Sequence, residues 1–256
     1  MPRVIAVAGK GGVGKTTLCS MLVRFLVEQA NDGPVLAVDA DPNSNLNELL
    51  GLTVGTTIGE ARELMKKDVP TNMTKDTWFN YKLNEAVIES QKFDLLVMGR
   101  PEGQGCYCAA NTLAKQAIDT LKQNYSFVVI DNEAGMEHMS RLVTQDVDCL
   151  FIVSDGTPRG IVTASRIVGL IKELQLRIAA TCLVINRVTA DNEHALREIA
   201  AEKRLENVRT IREDEYLLKA DREGKSVFEY DSDLPALYDA YRIFGEVIPG
   251  FIDKTK

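Results

Sequence analysis

The feature that most limits the fold of this 256-residue chain is the glycine-rich stretch GKGGVGKTT at residues 9–17. It fits the pattern G-x-x-x-x-G-K-[ST] and lies between a predicted strand and a predicted helix, the context that a phosphate-binding loop requires. Backbone N–H groups of such a loop turn inward on phosphate oxygens, at the positive end of the helix that follows. Lys15 should therefore reach the β- and γ-phosphates of a nucleotide, and Thr16 should ligate Mg²⁺. The nucleotide-binding residues predicted here are Gly11, Gly12, Val13, Gly14, Lys15, Thr16 and Thr17.

Short β-branched runs recur along the chain with amphipathic segments between them. These runs are RVIAVAG, PVLAVDA, FDLLVMG, FVVID, CLFIVSD and TCLVINR. Apolar runs without polar alternation are typical of strands buried on both faces. The sequence thus predicts an α/β fold, with a mostly parallel central sheet flanked by helices, in a single P-loop ATPase domain over residues 1–256. A helical insertion is expected at about 56–91, with helices at TIGEARELMKK and DTWFNYKLNEAVIES.

Charge and hydropathy limit the partners that this chain can have. Its 30 Lys and Arg against 37 Asp and Glu give a net charge of −7, which disfavours nonspecific binding to nucleic acid or to an anionic membrane. The start does not resemble a signal peptide, and the sequence has no run of about 18 apolar residues. We expect a cytoplasmic protein that has no nucleic-acid partner and no stable membrane association.

Two groups of apolar residues have a structural interpretation. An apolar stripe near the C-terminus predicts a helix face, interpreted as core packing because few basic residues flank it. Its members are Leu234, Leu237, Tyr241, Phe244 and Ile248. Three scattered cysteines are expected to be buried small hydrophobes in a reducing compartment. They are Cys19, Cys149 and Cys182.

The loop also carries an early lysine, Lys10, and KGGVGKTT resembles the deviant Walker A signature of the MinD/ParA and nitrogenase iron protein superfamily. The resemblance implies a homodimer in which Lys10 reaches across a two-fold axis to the partner's nucleotide. AVDADP resembles switch I, where Asp41, following Asp39, would help to position and activate the attacking water. The catalytic residues that this resemblance implies are Lys10, Lys15 and Asp41.

Two later segments resemble the same superfamily. FVVIDNEAG matches Walker B and switch II, which implies that Asp131 holds Mg²⁺ through water and that the Gly135 N–H senses the γ-phosphate. In LVINR, Asn186 matches the asparagine with which relatives hydrogen-bond adenine. The following base-contacting loop often has a proline in the family, and here Arg212 in TIREDEYL stands in that place.

The stretch GRPEGQGCYCA at residues 99–109 brings Cys106 and Cys108 one residue apart, before a helix predicted to begin near Ala109. Two thiols are too few for a closed soft-metal site, but a two-fold axis would supply four thiolates to nickel or zinc. A helix N-terminus should lower the pKa of these thiols and so favour the metal-binding thiolates. A redox pair and two incidental thiols remain as alternatives.

Three stretches, DADPNSNL, GRPEGQGCYCAAN and LLKADREGKSVFEY, make the chain resemble the CooC-type ATPases. The resemblance implies ATP hydrolysis to ADP and phosphate, nickel bound by Cys106 and Cys108 at the dimer interface, and insertion of nickel into apo carbon monoxide dehydrogenase or acetyl-CoA synthase. Zinc competes for the same site. One alternative is an iron–sulfur cluster carrier, whose usual spacing is C-x-x-C. The other is a ParA- or MinD-like positioning ATPase, which needs a basic DNA-binding face or a membrane-targeting tail.

Overall fold

The computed structural model describes residues 2–29, 33–67, 69–100, 107–134 and 146–248. Within these ranges the chain forms one eight-stranded sheet with helices on both faces. The strands are β1 (Arg3–Gly9), β2 (Val35–Asp39), β3 (Val87–Glu89), β4 (Phe93–Val97), β5 (Phe127–Asp131), β6 (Asp146–Asp155), β7 (Arg177–Val188) and β8 (Val208–Arg212). The helices are α1 (Lys15–Gln29), α2 (Leu46–Leu49), α3 (Ile58–Lys67), α4 (Lys75–Ala86), α5 (Tyr107–Leu121), α6 (Pro158–Glu173), α7 (Glu193–Glu202), α8 (Glu215–Arg222) and α9 (Pro235–Val247).

The order of strands in the sheet is β3-β4-β2-β5-β1-β6-β7-β8. Every neighbouring pair is parallel except the edge pair β3 and β4. Parallel strands in the middle of a sheet are covered on both faces, which explains why β2 and β5 are apolar along their length and buried at every position. The predicted fold class, a mostly parallel sheet flanked by helices, is confirmed.

Successive residues of a strand point to opposite faces of the sheet, so β1 supplies side chains to two separate cores. Ile5 and Val7 belong to the core beneath α1 and α9, whereas Val4 and Ala6 belong to the core beneath α5 and α6. The two layers of helices clamp the central strands from both sides. Since β1, β2 and β5 run parallel to one another, their carboxyl ends lie at the same edge of the sheet.

Two parts of the sheet differ from the sequence prediction. The helix predicted over DTWFNYKLNEAVIES ends at Ala86, because β-branched Val87 and Ile88 pair with β4 in the antiparallel edge strand β3. Strand β8 was not predicted at all. Its sequence VRTIR mixes polar and apolar residues because β8 lies at the opposite edge of the sheet and is only partly buried.

The C-terminal stripe packs inside the protein, as predicted. Leu237, Phe244 and Ile248 are buried in the core, and the Tyr241 ring meets the Phe25 ring edge-on at a centroid distance of 5.2 Å. None of the helices in the described part of the chain is long and apolar enough to cross a membrane.

The three scattered cysteines behave as small hydrophobes, as predicted. Cys19, Cys149 and Cys182 are free and buried. Burial raises the pKa of Cys149 and of Cys182 to about 12, so both stay protonated thiols at neutral pH.

Candidate nucleotide-binding site

The candidate site lies where β1, β2 and β5 end. In the register of the sheet Asp131 is opposite both Val7 and Asp39, so the two carboxylates lie beside the start of the glycine-rich loop. The loop then leads into α1, which begins at Lys15. Since the N–H groups of the first turn of a helix have no partner within the helix, this edge of the sheet is suited to bind an anion.

The loop is held by a side chain from β7. Gly14 has φ +93°, and a Cβ atom there would lie 2.5 Å from the Asn186 Nδ2 atom, so only glycine fits. The Asn186 amide donates a hydrogen bond to the Val13 carbonyl oxygen at 2.9 Å and accepts one from the Arg187 N–H at 3.0 Å. Asn186 therefore braces the loop from β7. Within the described part of the chain these two bonds leave one N–H and one lone pair of the amide for a ligand, and the contact of Asn186 with adenine stays a prediction.

Lys15 is buried at the start of α1, with 7% of its surface exposed, and its Nζ donates to the Lys10 carbonyl oxygen at 3.3 Å. Burial lowers the pKa of Lys15, while the charges of Asp131, Asp41 and Glu133 raise it. The charges of these three carboxylates thus offset part of the cost of burying the ammonium. The Lys10 side chain lies on the surface, where a partner could reach it.

The two carboxyl groups at the strand ends, Asp131 and Asp39, both have raised pKa values. Burial, and then the charge of Asp39, raises the pKa of Asp131 to about 7, while the Thr16 hydrogen bond and the Lys15 charge lower it. Burial also raises the pKa of Asp39 to about 6. The Asp131 Oδ1 atom is buried and accepts no hydrogen bond from any described residue. An acidic oxygen without a donor, beside a hydroxyl, fits Mg²⁺, which prefers oxygen ligands.

Asp39 organises the loop that carries Asp41. Its Oδ1 accepts from the Asp41 N–H at 3.1 Å, and its Oδ2 accepts from the Leu46 N–H at 3.0 Å, so both ends of the loop are tied to one buried carboxylate. Asp41 is partly exposed, and its charge acts on Lys15 and Asp131. The structure thus brings Asp41 to the candidate site, where its role in hydrolysis stays a prediction.

Two cavities meet at this edge of the sheet. One, of about 370 Å³, is lined by residues that include Gly12, Lys15 and Thr16 of the loop and Lys225. A second, more apolar cavity is lined by residues of α1, β7 and α8. Its lining includes Leu18, Met21, Asn186, Ile211 and Leu217. A polar cavity at the loop and an adjoining apolar one fit the phosphate and base ends of a nucleotide.

Sequence reasoning missed Arg187, which lines both cavities. It has φ +58°, a conformation that non-glycine residues seldom adopt, and such strain concentrates at functional sites. The sequence feature that could have identified Arg187 is its position directly after Asn186, a predicted site residue. Arg212, which stands where the family often has proline, binds Asp239 of α9 through Nε at 2.7 Å and through its NH2 nitrogen at 2.8 Å. Its guanidinium is therefore tied to the fold as well as lining the base-side cavity.

Two predicted site residues, Cys106 and Gly135, lie outside the described residues. Cys108 lies in the first turn of α5, which begins at Tyr107 and therefore includes this residue, whereas the sequence predicted a start near Ala109. Among the described residues no group of three or more His, Cys, Asp or Glu could hold a metal ion. The nickel site at the cysteine pair stays a prediction.

Comparison with known proteins adds to this geometry. Residues 4–227 match the family model described as the CobQ/CobB/MinD/ParA nucleotide binding domain. The chain is 40% identical to an uncharacterized ATP-binding protein of Methanocaldococcus jannaschii, covering 98% of this chain and 99% of that one. It is also 32% identical over 206 residues to the carbon monoxide dehydrogenase accessory protein CooC of Rhodospirillum rubrum, covering 73% of this chain and 74% of CooC.

A solved structure shows the same fold. The septum site-determining protein MinD of Pyrococcus horikoshii, complexed with Mg-ADP, superposes with a TM-score of 0.70 at 22% identity. The match covers 99% of this chain and 97% of that one. At this level of identity the likeness concerns the fold alone.

Proposed function

Since the chain belongs to the CobQ/CobB/MinD/ParA nucleotide-binding domain family, we propose that it is a homodimeric ATPase that carries nickel. It binds the metal between Cys106 and Cys108 of two copies and inserts it into apo carbon monoxide dehydrogenase or acetyl-CoA synthase. The observation that carries this proposal is the 32% identity with a carbon monoxide dehydrogenase accessory protein, in a chain that has a paired C-x-C.

The nucleotide half of the proposal uses the residues of the candidate site. The N–H groups of residues 11–17 and the Lys15 ammonium hold the phosphates, and Asn186 keeps the loop in shape through Val13. Asp41, on the loop held by Asp39, orients the attacking water. Phosphoryl transfer depends on such positioning and charge neutralisation more than on covalent chemistry.

Thr16 and Asp131 would hold Mg²⁺, because the Asp131 Oδ1 atom has no donor among the described residues. When bound, the ion neutralises negative charge on the phosphates. The Asp131 carboxyl group can serve as a ligand at neutral pH, since with a pKa of about 7 it ionises at little cost in free energy once a cation is present.

The metal half of the proposal requires a second copy of the chain. The cysteine pair of one chain offers two thiolates, and a two-fold axis near the pair doubles the number. A dimer also explains the exposed Lys10, which would complete the phosphate site of the partner. ATP binding and metal binding would then share one interface, so that the nucleotide controls the nickel.

A positioning ATPase is the second candidate, favoured by the match to a family model that includes MinD and ParA. The net charge of −7 counts against a basic DNA-binding face, and the apolar stripe of α9 is buried in the core rather than free for a membrane. An iron–sulfur carrier is a third candidate, disfavoured by the C-x-C spacing. Absorbance near 400 nm in anaerobically purified protein would support the cluster carrier.

Cys106→Ser and Cys108→Ser should each lower the affinity for nickel by at least about a hundredfold, because the dimer then keeps only half of its thiolates. Measured without nickel, the affinity for ATP should stay within about twofold of wild type, since the phosphate pocket is a separate part of the protein. Anaerobic nickel titration, read by near-ultraviolet charge-transfer absorption, measures the first effect, and calorimetry with ATP measures the second.

Cys149→Ala is the matched control, because Cys149 is a thiol buried in β6 and should leave nickel binding unchanged. Undiminished nickel binding in the double serine variant would contradict the proposed metal site.

A further inference from the structure

We propose that Arg100 and Asn43 are positioning residues for ATP hydrolysis, which hold the Asp41 carboxylate in its working orientation. The inference rests on the proposed function in one respect, the role of Asp41 in orienting the attacking water. Neither Arg100 nor Asn43 stands out in the sequence as a site residue. The observation behind this role is a pair of hydrogen bonds, from Arg100 to Asn43 and from Asn43 to Asp41, that connects two segments distant in sequence.

The Asn43 side chain lies between Arg100 and Asp41. Its Oδ1 accepts a hydrogen bond from the Arg100 guanidinium at 2.5 Å, and its Nδ2 donates to the Asp41 Oδ1 at 3.0 Å. The Asn43 backbone N–H also donates to the Asp41 Oδ1, at 2.9 Å. Since Arg100 can only donate, it fixes which end of the Asn43 amide faces Asp41.

Asp41 depends on Asn43 for its orientation. Among the described residues, both hydrogen bonds recorded for the Asp41 carboxylate come from Asn43. The loop backbone is held elsewhere, by Asp39, but those bonds do not reach the Asp41 side chain. A carboxylate that orients a water must keep its direction, because small displacements of a positioning group cost turnover.

The backbone that carries Arg100 is itself anchored to this loop. The Met98 N–H donates to the Asp39 carbonyl at 2.9 Å, and the Gly59 N–H donates to the Met98 carbonyl at 2.9 Å. Gly99 has φ +65°, and a Cβ atom there would lie 2.6 Å from Thr57 atoms, so the turn needs glycine. Arg100 therefore leaves a turn fixed between the end of β2 and the start of α3, and its guanidinium reaches back to Asn43.

The hydrogen bonds from Arg100 to Asn43 and from Asn43 to Asp41 are solvent-exposed, so their loss should affect folding stability and turnover differently. Exposed polar contacts contribute little to folding stability, so removing them should leave the protein folded. The effect should appear in turnover. An arginine that bound the phosphates directly would instead change the Michaelis constant for ATP, and this difference separates the two roles.

The experiment compares steady-state ATPase kinetics of Arg100→Ala, Asn43→Ala and the double variant. Each single variant should lower kcat about tenfold and change KM for ATP by less than about twofold. The double variant should also lose about tenfold, because both changes break one chain of contacts. Arg100→Lys, which keeps a donor, should return kcat to within about threefold of wild type.

The matched control is Arg177→Ala, which removes an exposed arginine paired with Asp146 at the amino ends of β7 and β6, away from the candidate site, and should leave kcat unchanged. The proposal fails if Arg100→Ala keeps kcat within about twofold of wild type, if KM rises while kcat holds, or if the double variant loses about a hundredfold.

The outcome is independent of the metal, because ATPase activity is measured without nickel. A protein that binds no nickel but loses turnover on Arg100→Ala would refute the proposed nickel carrier and keep this inference. A protein that carries nickel and keeps its turnover in Arg100→Ala would support the nickel carrier and refute this inference.

Discussion

Lys15→Ala should lower the affinity for ATP by roughly a hundredfold and remove measurable turnover. The buried ammonium lines the cavity proposed to hold the phosphates, and loss of a charge-assisted hydrogen bond of this kind costs about 3 kcal/mol. Calorimetric titration of the variant with ATP and Mg²⁺ measures the change. Affinity within about threefold of wild type would contradict the assignment of residues 9–17 as the phosphate site.

The folded state should tolerate this substitution. Lys15 lowers the pKa of Asp131, so removal of the ammonium raises that pKa further and favours the neutral carboxyl group over a buried, unpaired charge. Lys122→Ala is the control, because Lys122 forms an ion pair with Asp119 near the amino ends of β1 and β6, away from the glycine-rich loop, and should not affect ATP binding. Thermal unfolding without nucleotide checks that both variants are folded.

Asp41→Ala should bind ATP nearly as well as wild type and lose roughly a hundredfold in kcat, because a group that orients the attacking water acts in the transition state. Asp41→Asn is the matched variant, since its amide oxygen can still accept from the Asn43 N–H but carries no charge. Both variants should show the same separation of binding from turnover in phosphate-release and calorimetric measurements. Near wild-type turnover in either would exclude Asp41 from water positioning.

Mixing Asp41→Ala with Lys10→Ala extends this prediction to the dimer. If Lys10 acts on the partner's nucleotide, the heterodimer keeps one complete site, made from the Lys10 of one chain and the Asp41 of the other. An equal mixture should recover roughly a quarter of wild-type activity, because about half of the dimers are mixed and each has one working site of two. Absence of recovery, with heterodimers shown by native mass spectrometry, would exclude the trans role.

The sequence alone predicts the parts of the fold that local patterns determine. The apolar runs indicate β1, β2, β4, β5, β6 and β7, because strands buried on both faces have little polar content. Edge strands have no such signature. Val87–Glu89 and Val208–Arg212 are only partly buried, and their pairing partners, not their own residues, make them strands.

The candidate site likewise contains some residues that the sequence predicts and others that it does not. The loop motif identifies Lys15 and Thr16 because their spacing from the glycines is fixed by the chemistry of phosphate binding. The contact between Arg100 and Asn43 joins residues 57 positions apart, and no spacing rule predicts it. Nor does a pattern show that Asn186 braces the loop, or that Arg212 pairs with Asp239, since both depend on how distant strands and helices meet.

The central claim is that two copies of the chain share one nickel ion through Cys106 and Cys108. Native mass spectrometry of anaerobically prepared protein, titrated with nickel in the presence and absence of ATP, tests it most directly. We predict one nickel ion per dimer, a shift from monomer to dimer with metal alone, and no nickel on the double variant Cys106→Ser and Cys108→Ser. One tightly bound ion per monomer that survives the double substitution would contradict the claim.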